Sequence, residues 1–127
     1  MVIAGFPVVF VYLFGSVARE LDQSDSDVDV AVYFEPGFDA KQRFEHASRL
    51  GVELERALGR EVDVVDLEEG PLRLAGRILT ERVVIVGMER PERVRYETEL
   101  FRRYIDVEYH ARRLDAELLS ATADGRR

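Results

Sequence analysis

Apolar and polar positions along the chain divide it into short segments with two different periods. Runs rich in β-branched and aromatic residues predict four strands, at residues 8–14, 27–34, 61–67 and 82–87. Apolar positions three and four residues apart predict helices at 38–58, 71–79 and 91–119, with one helical turn at 17–21. In chain order, this pattern predicts a single α/β domain in which helices flank a three- or four-stranded mixed sheet.

The apolar stripe of each long helix predicts the face that it buries. In the first long helix the stripe consists of Phe44, Ala47, Gly51, Leu54 and Leu58. His46 falls outside that stripe and is expected on the exposed side, and Gly59 is placed to end the helix. In the last helix the expected inner face consists of Val94, Phe101, Ile105 and Leu114.

The composition is that of a folded domain. Of the 127 residues, 46% are hydrophobic and none is cysteine, which excludes disulfides and thiolate metal sites. The apolar stretch at 2–14 is interrupted by Pro7, follows no Lys or Arg, and is shorter than the ~20 residues of a membrane-spanning helix. We therefore expect one soluble, cytoplasmic domain over residues 1–127, with no membrane association.

The charge of the chain narrows the class of partner. A formal net charge of -7 disfavours direct binding to nucleic acid, because no counterion release would drive it. It favours cations or a basic partner instead.

A Gly-Ser turn follows the first predicted strand. If Gly15 and Ser16 begin a helical turn, the backbone N–H groups there form an anion site that suits phosphate. Arg19 falls in the same turn and would add positive charge. Most Gly-Ser turns bind nothing, so this feature is informative only in combination with others.

Aspartates mark the next two strands. Asp27 and Asp29 share one face of their strand, where unpaired carboxylates would raise each other's pKa. A Mg²⁺ ion bound with substrate phosphates would relieve this repulsion, although a solvated strand end is the simpler interpretation of two aspartates alone. Asp63 lies inside the third strand and would supply a third carboxylate. Asp66 is the competing residue, but it lies near the strand end, where capping a turn is sufficient explanation.

Together, a phosphate-binding turn and three strand carboxylates predict a two-metal site for phosphoryl or nucleotidyl transfer. Two Mg²⁺ ions would stabilise the attacking and leaving oxygens of an in-line displacement. The third carboxylate would help to deprotonate the attacking hydroxyl.

The spacing of these residues resembles a known family. Gly15-Ser16, ten further residues and Asp27-Val28-Asp29 form the pattern GSx10DxD, which resembles the nucleotidyltransferases of the DNA polymerase β superfamily. With "EVDVVDL" and "RVVIV" following, the chain is similar to the minimal nucleotidyltransferase (MNT) branch. Within that branch, "RRYIDVEYHARRL" resembles the final helix of antitoxins from HEPN/MNT toxin–antitoxin systems.

The resemblance implies a function and roles for individual residues. ATP would be the donor, and AMP would be placed on a tyrosine of a HEPN ribonuclease toxin. Gly15 and Ser16 would hold the triphosphate, with Arg19 in support, and Asp27, Asp29 and Asp63 would bind Mg²⁺.

This interpretation divides the chain into two parts and leaves two alternatives open. We expect residues 1–90 to form the catalytic sheet core and residues 91–121 a C-terminal helix that docks the partner. The alternatives are a nucleotidyltransferase for a small molecule such as an aminoglycoside, and a non-catalytic antitoxin that acts by binding alone.

Overall fold

Four strands form one sheet in the computed structural model, which describes residues 2–18 and 27–123. The strands are β1 (Val8–Phe14), β2 (Val28–Phe34), β3 (Val62–Asp66) and β4 (Val83–Val86). The helices are α1 (Gly15–Ala18), α2 (Ala40–Leu58), α3 (Leu72–Glu81) and α4 (Pro91–Ala123), and a 3-10 turn spans Val2–Gly5. This order confirms the predicted α/β class, and each predicted strand begins and ends within one residue of the observed one. The predicted turn at 17–21 begins two residues earlier, and its last residues lie outside the described part.

The sheet is mixed, with strand order β3–β2–β1–β4. β1 runs antiparallel to both β2 and β4, whereas β2 and β3 are parallel. A parallel pair needs a crossover connection, and α2 provides it. In the resulting register Asp29 lies opposite Phe14 on one side and Asp63 on the other.

Each face of the sheet carries its own apolar core. On one face α2 packs against alternate residues of β2, with Val32, Phe34, Leu50 and Leu54 at the centre. On the other face α3 and α4 cover a second core that contains Phe10, Tyr12, Phe14, Ala31, Leu67 and Ile78. Because successive strand residues alternate between faces, Asp29 of β2 and Asp63 of β3 lie on the second face, whereas Asp66 lies on the first.

The buried stripe of α2 is only partly the predicted one. Ala47 and Leu54 are buried as predicted, and Leu50 is buried between them. Phe44 and Leu58 were expected in the core, but they are 70% and 51% exposed. Both residues lie outside the buried stripe of Ala47, Leu50 and Leu54.

The ends of α2 follow the sequence closely. Asp39 and Gln42 form a reciprocal capping box at the first turn. Gly59 ends the helix in the left-handed conformation, as predicted. His46 was expected on the exposed side, but it is half-buried, with its ring edge-on to Phe38 at 4.9 Å between centroids.

The predicted inner face of α4 is wrong. Val94, Phe101, Ile105 and Leu114 are all exposed. The helix instead buries Leu100 and packs Tyr96 against the aromatic rings of Phe10 and Tyr33. Tyr104 reaches Gly76 of α3, where an added Cβ would lie 2.5 Å from the tyrosine ring. The inner face of α4 is therefore set by shape, because the Tyr104 ring fits over Gly76. The hydrophobicity of the α4 residues alone does not predict which face is buried.

A charged cluster fastens α4 to β1. The buried Tyr12 hydroxyl donates a hydrogen bond to Glu97, which also accepts from Arg82 at 2.9 Å and from Arg93 at 3.0 Å. Burial alone would raise the pKa of Glu97, but these three donors hold it below its usual range. The cluster joins β1, the start of β4 and the first turns of α4.

Within residues 2–18 and 27–123, no helix combines the length and the apolar character needed to cross a membrane.

Two glycines with similar positive φ angles offer a matched test of this packing. Gly87 has φ 77°, and a Cβ there would lie 2.2 Å from the Val9 carbonyl oxygen. Gly59 has φ 66° and open space around it. We expect Gly59→Ala to lower the free energy of unfolding by about 1–2 kcal/mol, from backbone strain alone. Gly87→Ala adds a backbone clash and should lower it by about 3 kcal/mol or more. Urea denaturation measures both, and equal losses would contradict the packing at β1 and β4.

Candidate active site

Three aspartates meet at one end of the sheet. Asp29 of β2 and Asp63 of β3 are register partners in a parallel pair, in which neighbouring strands lie about 4.8 Å apart. Asp27 lies just before β2, two residues from Asp29, and its carboxylate is close enough to raise the pKa of Asp29. Asp27 and Asp63 are exposed, and Asp29 is half-buried. The structure thus brings together the three carboxylates that the sequence singled out.

The Gly-Ser turn lies directly against this cluster. Gly15 has φ 77°, and a Cβ added to it would lie 2.2 Å from Asp29 Oδ2. Only glycine satisfies both the left-handed backbone and this close approach. Ser16 follows within α1 and is half-buried. Arg19, the third residue predicted for nucleotide binding, lies outside the described residues.

The charge of Asp29 is poorly compensated. Burial raises the pKa of its carboxyl, and the nearby carboxylate of Asp63 raises it further. Arg77 opposes this shift, whereas Asp27 and Glu81 add to it. A group that binds a proton more readily than usual is also one that a cation would stabilise in its ionised form.

Arg77 and Glu81 are members of this neighbourhood that the sequence reasoning missed. Both belong to α3, four residues apart, with Arg77 Nε 3.6 Å from Glu81 Oε1. The order of elements indicated that α3 would lie near the aspartates, because α3 directly follows β3, the strand that carries Asp63. Nothing in the sequence, however, states which side of α3 faces the aspartates.

Asp66, the alternative third carboxylate, lies apart from the cluster. It is on the opposite face of β3 and accepts a hydrogen bond from Arg43 Nε at 2.8 Å. Its second oxygen accepts from the backbone N–H of Glu68 at 3.0 Å, as in a capped turn. These contacts account for Asp66 as a structural residue.

The donor chemistry of the cluster fits a hard divalent cation. Among the residues that the structure describes, no three His, Asp or Glu side chains form a ready-made metal site. Mg²⁺ does not require one, because it is commonly held by one or two carboxylates, waters and substrate phosphates. Two adjacent carboxylates, one of them partly desolvated, fit that manner of binding.

Comparison with known proteins assigns the family. Residues 4–91 match the family described as polymerase beta, nucleotidyltransferase. The chain therefore belongs to this family of nucleotidyltransferases, which confirms the resemblance seen in the sequence.

One curated relative has a more narrowly defined activity than the family as a whole. The chain is 35% identical over 79 residues to the protein adenylyltransferase MntA of Shewanella oneidensis, an alignment that covers 62% of this chain and 50% of the relative. The chain thus spans about half the length of this curated relative.

Two solved structures share the fold. One is a toxin–antitoxin with AMP-PNP, with a TM-score of 0.72, 22% identity and 93% of each chain covered. The other is a tri-AMPylated Shewanella oneidensis HEPN toxin in complex with an MNT antitoxin, with a TM-score of 0.60 and 22% identity. That match covers 89% of this chain and 84% of the other.

The proximity of Asp29 and Asp63 predicts a measurable titration. Replacing the neighbouring carboxylate by Asp63→Asn removes a negative charge, so the raised pKa of Asp29 should fall. Asp66→Asn is the matched control, since it lies on the other face of the same strand and should leave the pKa of Asp29 unchanged. Carboxyl ¹³C NMR of Asp29 over a pH series measures both. Identical Asp29 curves for wild type and Asp63→Asn would mean that the two carboxylates do not interact.

Proposed function

We propose that this protein is a Mg²⁺-dependent nucleotidyltransferase antitoxin of the cytoplasm. It transfers AMP from ATP to a tyrosine of a HEPN ribonuclease toxin and thereby neutralises the toxin. The observation that carries the proposal is the Asp29–Asp63 pair, which lies against the glycine turn at the end of the sheet. The family assignment and the similarity to MntA support the same reaction.

The reaction is an in-line displacement at the α-phosphorus of ATP. The tyrosine oxygen forms a bond to that phosphorus, the bond to the bridging oxygen of the β-phosphate breaks, and pyrophosphate leaves. Asp63, which is exposed at the sheet end, would accept the tyrosine proton. Bound Mg²⁺ would supply the positive charge that offsets the phosphates and the developing negative charge.

Each remaining site residue has a role that follows from its position. Asp27 and Asp29, with Asp63, would hold the metal ions. Gly15 has no side chain to keep a triphosphate away from the backbone, and Ser16 adds a hydroxyl at the same turn. Arg19 lies outside the described residues, and its proposed phosphate contact rests on its place in the family's sequence motif alone.

The toxin is proposed to dock on α4. The helix is 33 residues long, and from 109 to 120 every residue is exposed. One stripe of α4 begins with Leu100 and Tyr104, which pack against the body of the protein. The same stripe continues, at spacings of three and four residues, through Val107, Ala111, Leu114 and Leu118.

This exposed continuation is the candidate docking surface. Val107, Leu114 and Leu118 are each more than half exposed, which is unfavourable in water unless a partner covers them. Near the start of α4 this stripe packs against α3. Its exposed continuation would pack against a helix of the toxin in the same manner.

AMP transfer can be tested by the intact mass of the toxin after incubation with this protein, ATP and Mg²⁺. We expect a gain of one or more AMP units with wild type. Asp29→Asn and Asp63→Asn should each slow the transfer by about 100-fold or more. Asp66→Asn is the matched control and should stay close to wild type, provided that circular dichroism shows it folded.

Other outcomes would contradict the proposal in distinct ways. Neutralisation of the toxin without any mass gain would mean that the protein acts by binding alone. Loss of transfer in Asp66→Asn, with Asp63→Asn active, would make Asp66 the third site carboxylate.

The docking surface has its own test. Leu114→Asp combined with Leu118→Asp places charge in the stripe, and we expect toxin affinity to fall by about 30-fold or more. Ala116→Asp adds one such charge on the opposite side of α4 and should change the affinity little. Calorimetric titration with the toxin measures both. Unchanged affinity in the double variant would show that the toxin docks elsewhere.

A further inference from the structure

A basic side chain on α3 lies beside the aspartate cluster without a defined role. Ile78 is buried in the same core as Phe14 and Ala31. Phe14 is the β1 register partner of Asp29, and Ala31 follows Asp29 on the same face of β2. The residue next to Ile78 is Arg77, so its side chain starts from a helix that packs directly over the Asp29 end of the sheet.

The phosphate turn borders the same helix. α1, which begins at Gly15, is in contact with α3 as well as with β2. A triphosphate seated on that turn and bound near Asp29 would therefore extend between α1 and α3. Arg77 belongs to α3, the helix that borders this path.

The contact of Arg77 with Glu81 is weak enough for a phosphate group to replace Glu81. Its Nε lies 3.6 Å from Glu81 Oε1, and the side chain is 58% exposed. Other arginines of the domain are held at shorter distances, Arg43 at 2.8 Å from Asp66 and Arg82 at 2.9 Å from Glu97. Strong charge-assisted hydrogen bonds have nitrogen–oxygen distances near those shorter values.

We propose that Arg77 binds the β- and γ-phosphates of the nucleotide, an inference that rests on the proposed function. On nucleotide binding its guanidinium exchanges the loose contact with Glu81 for the phosphate oxygens. The planar fork of arginine matches two phosphate oxygens at once, which a lysine ammonium does not. The contact would also stabilise the charge that develops on pyrophosphate as it leaves.

The chemistry of the site explains why such a residue is needed. Three carboxylates and a triphosphate bring together many negative charges, and the metal ions neutralise them only in part. An arginine donates hydrogen bonds to phosphate oxygens and is not a metal ligand, so it balances the remaining charge without taking a coordination position.

The test separates phosphate contacts from other effects by comparing two ligands. Titration calorimetry with the α,β-methylene analogue of ATP and with AMP, each with Mg²⁺, gives both affinities without turnover. We expect Arg77→Ala to weaken binding of the triphosphate analogue by about 10- to 100-fold and to leave AMP binding within about twofold. Arg77→Lys should recover only part of the loss.

Arg73→Ala is the matched control, because Arg73 is an exposed arginine one turn earlier on the same helix. It should bind both ligands like wild type. An equal loss for the triphosphate analogue and AMP in Arg77→Ala would overturn the proposal, and so would no loss for either.

The experiment also separates this proposal from the proposed function. If wild type binds the triphosphate analogue but never modifies a toxin, the AMP-transfer function fails while the role of Arg77 is still decided by the two affinities. If wild type binds neither ligand, both proposals fail.

Discussion

The parallel pairing of β2 with β3 is the constraint on which the site depends. It sets Asp29 beside Asp63 at the distance of neighbouring strands, although 34 residues separate them in the chain. Two like charges at that distance destabilise each other unless a cation or a proton intervenes. The register holds despite this cost because the neighbouring positions of both strands are buried in the core beneath α2. Slipping the pair by one residue would relieve the repulsion but would expose that core.

The rest of the domain supports this arrangement from both faces. α2 provides the crossover that makes the parallel pair possible, and it buries one face of the sheet. α3 covers the other face near the aspartates, and α4 is fastened farther along the same face through Glu97 and Tyr12. Tyr12 lies only three residues before Gly15, so the cluster that anchors α4 also fixes the strand that ends in the glycine turn. The proposed docking helix and the proposed site are thereby parts of one packed unit.

Particular residues show how far prediction from the sequence reached. The strands and the end of α2 at Gly59 followed from local pattern, because each depends on backbone geometry over a few residues. The inner face of α4 did not, since Val94 and Phe101 are as apolar as the residues that are actually buried. Tyr104 faces inward because Gly76, on another helix, leaves room for its ring. Such complementarity between distant segments has no local signature.

The sequence by itself determined the family, the element order and the candidate carboxylates, because motif spacing and hydrophobic period are properties of contiguous residues. Only the tertiary structure decided between Asp63 and Asp66 as neighbours of Asp29, since that choice depends on the register in which β3 pairs with β2. It also brought Arg77 near the aspartates and left the second half of one stripe of α4 exposed. Both outcomes follow from the angle and position at which helices pack on the sheet, and those are set by the fit of side chains far apart in the chain.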